Sequence, residues 1–278
     1  MKIPRIIHQV HTLGMDKFRP DILNTIARNK DINPGWEHRF YDYNGMVAFI
    51  KEHYEARYLK AFLRINPHYG AAQADFFRYL VMNKVGGVYL DVKSYCIKPL
   101  DEIIREDDEF VVFEWNGHPQ GKYENHGAHA EIARPGGEYQ QWNIISTPGN
   151  KYIDAVVKGV LSNIENYHYS RQGVGWKGVI VTTGPIVYTN AIESVNDGIG
   201  IRLAGNHEAN GIVYMDETIR RVKGTHYSQR FSYIVDSGLG HNILSYIHGS
   251  PSLILIWYRR AVGIKRKILS LRASGLSR

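Results

Sequence analysis

The sequence predicts an α/β chain, and three observations carry that expectation. Segments of strand period alternate along it with segments of helix period. The clearest helix, Ala71–Val85, stops at Gly86-Gly87 and runs directly into the alternating stretch GGVYLDVKSY. A chain of 278 residues, 44% hydrophobic and 22% charged, can also bury a large core.

Taken in order, Ile3–Val10 is an apolar run of strand length and Trp36–Tyr41 alternates as a second strand. Asn44–Tyr54 and Tyr58–Ile65 have helical period, and Ala71–Val85 follows. Glu109–Trp115 and Gln141–Thr147 predict strands, Lys151–Tyr167 a helix and Gly178–Thr183 another strand. Pro185 stands in the first turn of a further helix, where its missing N–H costs nothing. With no internal repeat and no linker before about residue 248, the expected division is a body, 1–248, and a tail, 249–278.

The single cysteine, Cys96, excludes an internal disulfide, and no apolar run approaches the roughly 18 residues of a membrane span. The start MKIPRIIHQV is too short and too quickly polar for a signal peptide, so a reducing cytoplasm is the expected compartment. The net charge of +7 resides in the tail, where Arg259, Arg260, Lys265, Arg266, Lys267, Arg272 and Arg278 occur with no acid. The body is therefore neutral, which argues against nucleic acid as a partner.

If helical, residues 252–272 place Trp257, Ala261, Ile264, Ile268 and Leu271 on one face, with Arg259 and Arg266 opposite. This basic amphipathic pattern suits an anionic membrane surface, so the expected location is peripheral, on the inner face of the plasma membrane. A helix packed on the body, or a disordered tail, is the plainer alternative.

Read as a strand, GGVYLDVKSY puts Val88, Leu90 and Val92 on one face and Tyr89, Asp91 and Lys93 on the other. Asp91 and Lys93 would stand roughly 7 Å apart, both within reach of one ligand. On the preceding helix Asp75 and Arg78 are three apart and project together. Helix, glycine turn and strand bring all of them toward one sheet edge, the usual ligand crevice of an open α/β sheet.

The ordered set IPRIIHQV (3–10), NPGWEHRFYD (33–42), AQADFFRYLVMNKVGGVYLDVK (72–93) and KPLD (98–101) resembles the family 32 glycosyltransferases, including capsular-polysaccharide and α-mannosyltransferase-like enzymes with a DxD motif. QWNIIST around Asn143, TGP at 183–185 and His226 in GTHYSQ follow the family order more loosely. The resemblance implies a GT-A-like fold, a Rossmann-like mixed sheet flanked by helices, here with the basic amphipathic C-terminal helix appended. It implies retaining transfer of a hexose from a nucleotide-sugar donor, a UDP-sugar first, to a glycan or lipid-linked acceptor in capsular or lipopolysaccharide assembly.

Asp91, Lys93 and Arg78 are the candidate catalytic residues, Lys93 as an ammonium able to bind the leaving phosphate and Asp91 and Arg78 by what the resemblance implies. The resemblance assigns Asp75, Tyr89, Asn143, Gly184, His8 and Gln9 to substrate binding, and Asp91 with His226 to a Mn²⁺ or Mg²⁺ ion. Lys93 departs from the pattern, standing where the second aspartate of DxD would be. The exchange shifts the local charge by two units and disfavours a hard divalent cation, which prefers oxygen ligands. Three outcomes stay open: Lys93 replaces the metal as the phosphate-stabilising cation, Asp91 and His226 still hold a metal, or the protein is a catalytically inactive sugar-nucleotide-binding protein. A glycosidase using Asp75 and Asp91 is a weaker alternative.

Elsewhere, the Gly- and His-rich run 114–139 is expected to be a mobile substrate loop, its His118, His126 and His129 lacking a compact metal-ligand spacing. SRQGVGWKG (170–178) presents Trp176 and Lys177 on a glycine loop, and Trp115 and Trp142 suit either the core or a sugar platform.

Overall fold

The computed structural model describes residues 1–115, 122–214 and 232–249. Its first half runs β1 (Ile6–Val10), α1 (Pro20–Ile32), β2 (Glu37–Tyr41), α2 (Tyr43–His53), α3 (Ala56–Arg64), α4 (Gly70–Val85) and β3 (Gly87–Leu90). There follow β4 (Tyr95–Cys96), α5 (Leu100–Ile103), β5 (Phe110–Glu114), β6 (Asn143–Ser146), α6 (Lys151–Glu165) and α7 (Tyr169–Gln172). The remainder is α8 (Gly175–Thr182), α9 (Pro185–Ser194), β7 (Arg202–Asn206), β8 (Ile212–Val213) and α10 (Leu239–Gly249).

Six strands form one sheet in the order β2-β1-β3-β6-β5-β7, and β4 pairs with β8 in a separate ribbon. β1 runs parallel to β2 and β3, β6 is antiparallel to β3 and β5, and β7 is parallel to β5. The expected α/β class, a mixed sheet flanked by helices, is thus the observed one. One sheet face carries Tyr89 and Ile144 into a core with α2, α3, α4, α6 and α9. The other carries Ile7, Val88, Leu90 and Ile145 into a thinner layer with Trp36, Cys96, Leu100 and Ile212.

The α4 helix is buried continuously from Ala72 to Met82, which explains why it shows no polar face: it is a core helix with its charges spent internally. Its stop is built from glycines. Gly86 and Gly87 take φ of 67° and 101°, and a Cβ on Gly87 would lie 2.5 Å from the Ile6 carbonyl oxygen. The close approach seats β3 against β1.

Two expected elements differ. Gly178–Thr183 belongs to helix α8 and the residue following it, not to a strand. A short apolar run reads alike as buried strand or buried helix, and here the Thr183 amide closes a helical bond on the Val179 carbonyl. The strand expected through Lys93 ends at Leu90: the Ser94 amide bonds the Asp91 carbonyl at 2.8 Å, making residues 91–94 a turn. Helix α1, absent from the sequence reading, is the cause. Val92 is buried against its Ile22 and Ile26, and Asn29 Nδ2 donates to the Ser94 carbonyl at 2.9 Å. Residues 250–278, with the expected basic helix, lie outside the described residues, and α10 crosses the expected boundary at 248.

Candidate functional site

The site forms where α4, the end of β3 and the start of β6 meet. Arg78 and Asp75, one helical turn apart, place Arg78 Nη2 3.0 Å from Asp75 Oδ1 with both side chains only 5% exposed. The same nitrogen lies 3.3 Å from Asp91 Oδ1, whose side chain is 33% exposed. Arg78 Nη1 donates to the Gln141 carbonyl at 2.8 Å, and its guanidinium carbon sits 4.5 Å above the Tyr89 ring. Tyr89 Oη in turn donates to Asp91 Oδ1 at 2.7 Å. Asp91 is therefore held by one oxygen, from behind, and among the described residues Oδ2 has no partner.

Asp75 is closed off. Its Oδ2 accepts from the Thr183 hydroxyl at 3.0 Å and its Oδ1 from the Gln141 amide at 3.3 Å. Burial pushes its carboxyl up to about 6, opposed by Arg78 and the Thr183 hydroxyl. Tyr79 Oη completes the network by donating to Gln141 Oε1 and approaching the Thr183 carbonyl. A side chain so enclosed cannot attack a substrate, which removes the paired-carboxylate geometry a glycosidase needs.

Lys93 stands on the Asp91–Ser94 turn, and among the described residues its side chain makes no ion pair or hydrogen bond. The turn itself is held, since Val92 is buried and Ser94 Oγ donates to the Tyr214 carbonyl at 2.7 Å. His11, just beyond β1, lies in the electrostatic field of both Lys93 and Asp91. Burial, with Lys93, lowers its pKa below the ordinary histidine value, against the Leu13 carbonyl and Asp91. Its ring packs edge-on to Phe18 at 4.8 Å.

Of the expected residues, Asp75, Arg78, Tyr89 and Asp91 converge, and Lys93 follows on the turn. His8 shares the Tyr89 face but is buried and occupied, with Nε2 2.9 Å from the Gly86 carbonyl and the Tyr41 hydroxyl 3.3 Å from Nδ1. Gln9 and Asn143, in register with Leu90, face the opposite side of the sheet from Asp91. Asn143 Nδ2 donates to Gln140 Oε1 at 3.0 Å. Gly184 packs α9 against α8, where a Cβ would meet the Ile180 Cα at 2.7 Å, and its neighbour Thr183 is the residue that reaches the site. His226 lies outside the described residues.

Gln141, Thr183, Tyr79 and His11 were not singled out by the sequence. TGP carried a signal for Thr183 and QWNIIST one for Gln141, but nothing local marks Tyr79 or His11.

A Mn²⁺ or Mg²⁺ ion does not fit the described residues: no three His, Cys, Asp or Glu side chains gather anywhere among them, and Asp91 offers a single open oxygen two residues before Lys93.

The expected mobile loop is anchored over its described part, 122–139. Trp115 Nε1 donates to Glu138 Oε1 at 2.6 Å, His129 Nε2 pairs with Glu138 Oε2 at 2.7 Å, and Arg134 pairs with Glu114. His118 lies outside the described residues. Trp142, buried, joins Trp115, His207 and Tyr214 in an aromatic cluster, and its carbonyl accepts from the Asp91 amide at 2.9 Å. Trp176 is 47% exposed near the start of α8.

Residues 21–110 match the family model of the glycosyltransferase sugar-binding region containing the DXD motif. An uncharacterized glycosyltransferase of Acanthamoeba polyphaga mimivirus is 30% identical over 102 residues, 37% of this chain and 40% of that protein. Inositol phosphoceramide mannosyltransferase 1 of Schizosaccharomyces pombe is 29% identical over 107 residues, 37% of this chain and 32% of that protein. The alignments thus span well under half the length of these curated relatives. Among solved structures, the PaToxG glycosyltransferase aligns over 69% of both chains with 17% identity and a TM-score of 0.43. The UDP-bound glycosyltransferase domain of the YGT toxin aligns over 72% of this chain and 79% of its own, with 11% identity and a TM-score of 0.42.

Proposed function

We propose that this chain is a family 32-type glycosyltransferase, a reading its match over residues 21–110 supports, and that it transfers a hexose from a nucleotide-sugar donor to a glycan or lipid-linked acceptor with retention. The observation that carries the reading is the Asp91 carboxylate, fixed through Oδ1 by Tyr89 and Arg78, with Oδ2 open among the described residues and Lys93 two residues further along the same turn. Asp91 serves to orient the donor sugar or ribose, and Arg78 serves to orient Asp91. Arg78 is buried with every nitrogen engaged, so it is a positioning residue and not the cation that meets phosphate.

In the reaction the bond between the anomeric carbon and the diphosphate oxygen breaks, and a bond from that carbon to an acceptor hydroxyl oxygen forms. With Asp75 enclosed, no second carboxylate among the residues gathered here can act as a nucleophile. The acceptor therefore attacks from the face the diphosphate leaves, and its proton passes to the departing phosphate oxygen. What catalysis must stabilise is the negative charge growing on that phosphate.

UDP-sugars are the first donors to test, and GDP-mannose belongs beside them because relatives carry mannosyltransferase names. The basic sequence of residues 251–278 supports peripheral attachment to an anionic inner membrane surface, where a lipid-linked acceptor for surface polysaccharide would lie. Incubating purified protein with a panel of nucleotide sugars and measuring donor hydrolysis tests the reading. Release of hexose from one donor, lost in Asp91→Ala, supports it; binding of a nucleotide sugar without any turnover would leave a sugar-nucleotide-binding protein.

A further inference from the structure

We infer that Lys93 and His11 together form a metal-free site for the diphosphate of the nucleotide donor, Lys93 supplying its positive charge and His11 Nε2 a hydrogen bond beside Asp91. This rests on the transferase reading of the same site.

Charge is the first argument. The ion-paired side chains are two carboxylates, Asp75 and Asp91, and one cation, Arg78; Lys93, on the turn after Asp91 and acting with it on His11, adds a second cation. An aspartate at position 93 would leave a surplus of two negative charges, which a divalent cation would have to cancel before a diphosphate could approach. Lysine makes the same correction within the chain. An ammonium binds phosphate oxygens as a point charge, and neighbouring carboxylates no longer repel the ligand on balance.

Availability is the second. Arg78, Asp75 and one oxygen of Asp91 are consumed by one another, whereas Lys93 has no charged or hydrogen-bonded partner among the described residues. It is also presented, not trailing. The turn that bears it is locked by buried Val92, by Asn29 on the Ser94 carbonyl and by Ser94 on the Tyr214 carbonyl. A held backbone lowers the entropy lost when a lysine side chain is ordered on a ligand.

His11 contributes the third. Its Nδ1 lies 3.1 Å from the Leu13 amide nitrogen and 3.0 Å from the Leu13 carbonyl oxygen, so either tautomer is occupied there by its own loop. Nε2 has no partner among the described residues. In the tautomer whose Nδ1 accepts from the Leu13 amide, the neutral ring carries its proton on Nε2 and offers it as a donor; the other tautomer gives Nδ1–H to the Leu13 carbonyl and leaves Nε2 an acceptor, so an anionic ligand selects the first. His11 follows β1 and Asp91 follows β3, and those strands are parallel neighbours, so their C-terminal ends open onto one crevice.

The test is calorimetric titration of full-length protein with UDP and GDP, in EDTA and again in Mn²⁺, with uridine and guanosine as controls lacking the diphosphate. A nucleoside diphosphate should bind in EDTA, with affinity changed less than about threefold by Mn²⁺. Lys93→Ala should weaken that binding at least about tenfold and His11→Ala roughly threefold or more, while nucleoside binding is unchanged. Lys93→Asp should bind the diphosphate only when Mn²⁺ is present. Thermal unfolding of each variant checks that the fold survives, and Lys93→Met, which keeps the apolar stem, replaces Lys93→Ala if that variant does not fold.

Binding of wild type that appears only with Mn²⁺, or variants at both positions that bind UDP and GDP in EDTA as the wild type does, would overturn the assignment and leave the transferase reading standing. Absence of nucleotide binding and of donor hydrolysis in both buffers would overturn both.

Discussion

Arg78 Nη2 lies 3.3 Å from Asp91 Oδ1, so a buried side chain of helix α4 fixes the carboxylate of the turn that follows β3. The same nitrogen holds Asp75 at 3.0 Å. One guanidinium thus keeps two carboxylates compatible, one enclosed and one facing solvent, and the consequences can be measured.

Asp91→Ala removes the one carboxylate of this group that has an open oxygen. Donor hydrolysis or transfer should fall at least about 10²-fold, a typical loss for a group touching the reacting ligand, with the unfolding midpoint little changed because the side chain is partly exposed. Near-normal turnover would take Asp91 out of the site.

Arg78→Met leaves two carboxylates, one of them enclosed, without their shared cation. Stability should drop by about 3–5 kcal/mol, the usual cost of breaking a buried pair from one side, read from urea unfolding. Adding Asp75→Asn to the same chain should recover part of that loss, because the enclosed charge goes with it. A double variant as unstable as Arg78→Met alone would mean the guanidinium matters for packing and not for charge.

Burial lowers the His8 pKa to about 4, below the ordinary value of 6.5. A depressed folded value means the neutral ring stabilises the fold above pH 6.5, and that contribution is lost as pH falls through about 4. Integrated between those values it amounts to about 3 kcal/mol at pH 4. His38 and His207 are lowered to about 4 by the same cause and act with the same sign. Urea midpoints should therefore fall from pH 7 to pH 4, and His8→Gln should show a shallower fall. An identical pH slope in the variant would assign the acid sensitivity elsewhere.

Removing residues 251–278 takes away seven basic residues and no acidic one. Full-length protein should sediment with vesicles containing anionic lipid and be released by high salt, since screening acts over roughly 10 Å at 0.1 M. The truncated chain should stay in solution and keep donor hydrolysis. Equal sedimentation of the two forms would place membrane contact on the body.

By itself the sequence determined the elements whose pattern is local and strong. The α4 helix, its glycine stop, strands β1 and β3 and the grouping of Asp75, Arg78, Tyr89 and Asp91 follow from helical spacing, strand alternation and two glycines that only a tight turn explains. Tertiary structure decided what depends on partners far along the chain. Whether VIVTT became strand or helix was settled by packing, because period cannot separate short buried runs. Lys93 left the strand because Val92 and Ser94 bind α1, a helix the sequence reading did not include, through Ile22, Ile26 and Asn29. Gln141 and Thr183 join Asp75 only through contacts 66 and 108 residues apart, and no local pattern encodes such a meeting.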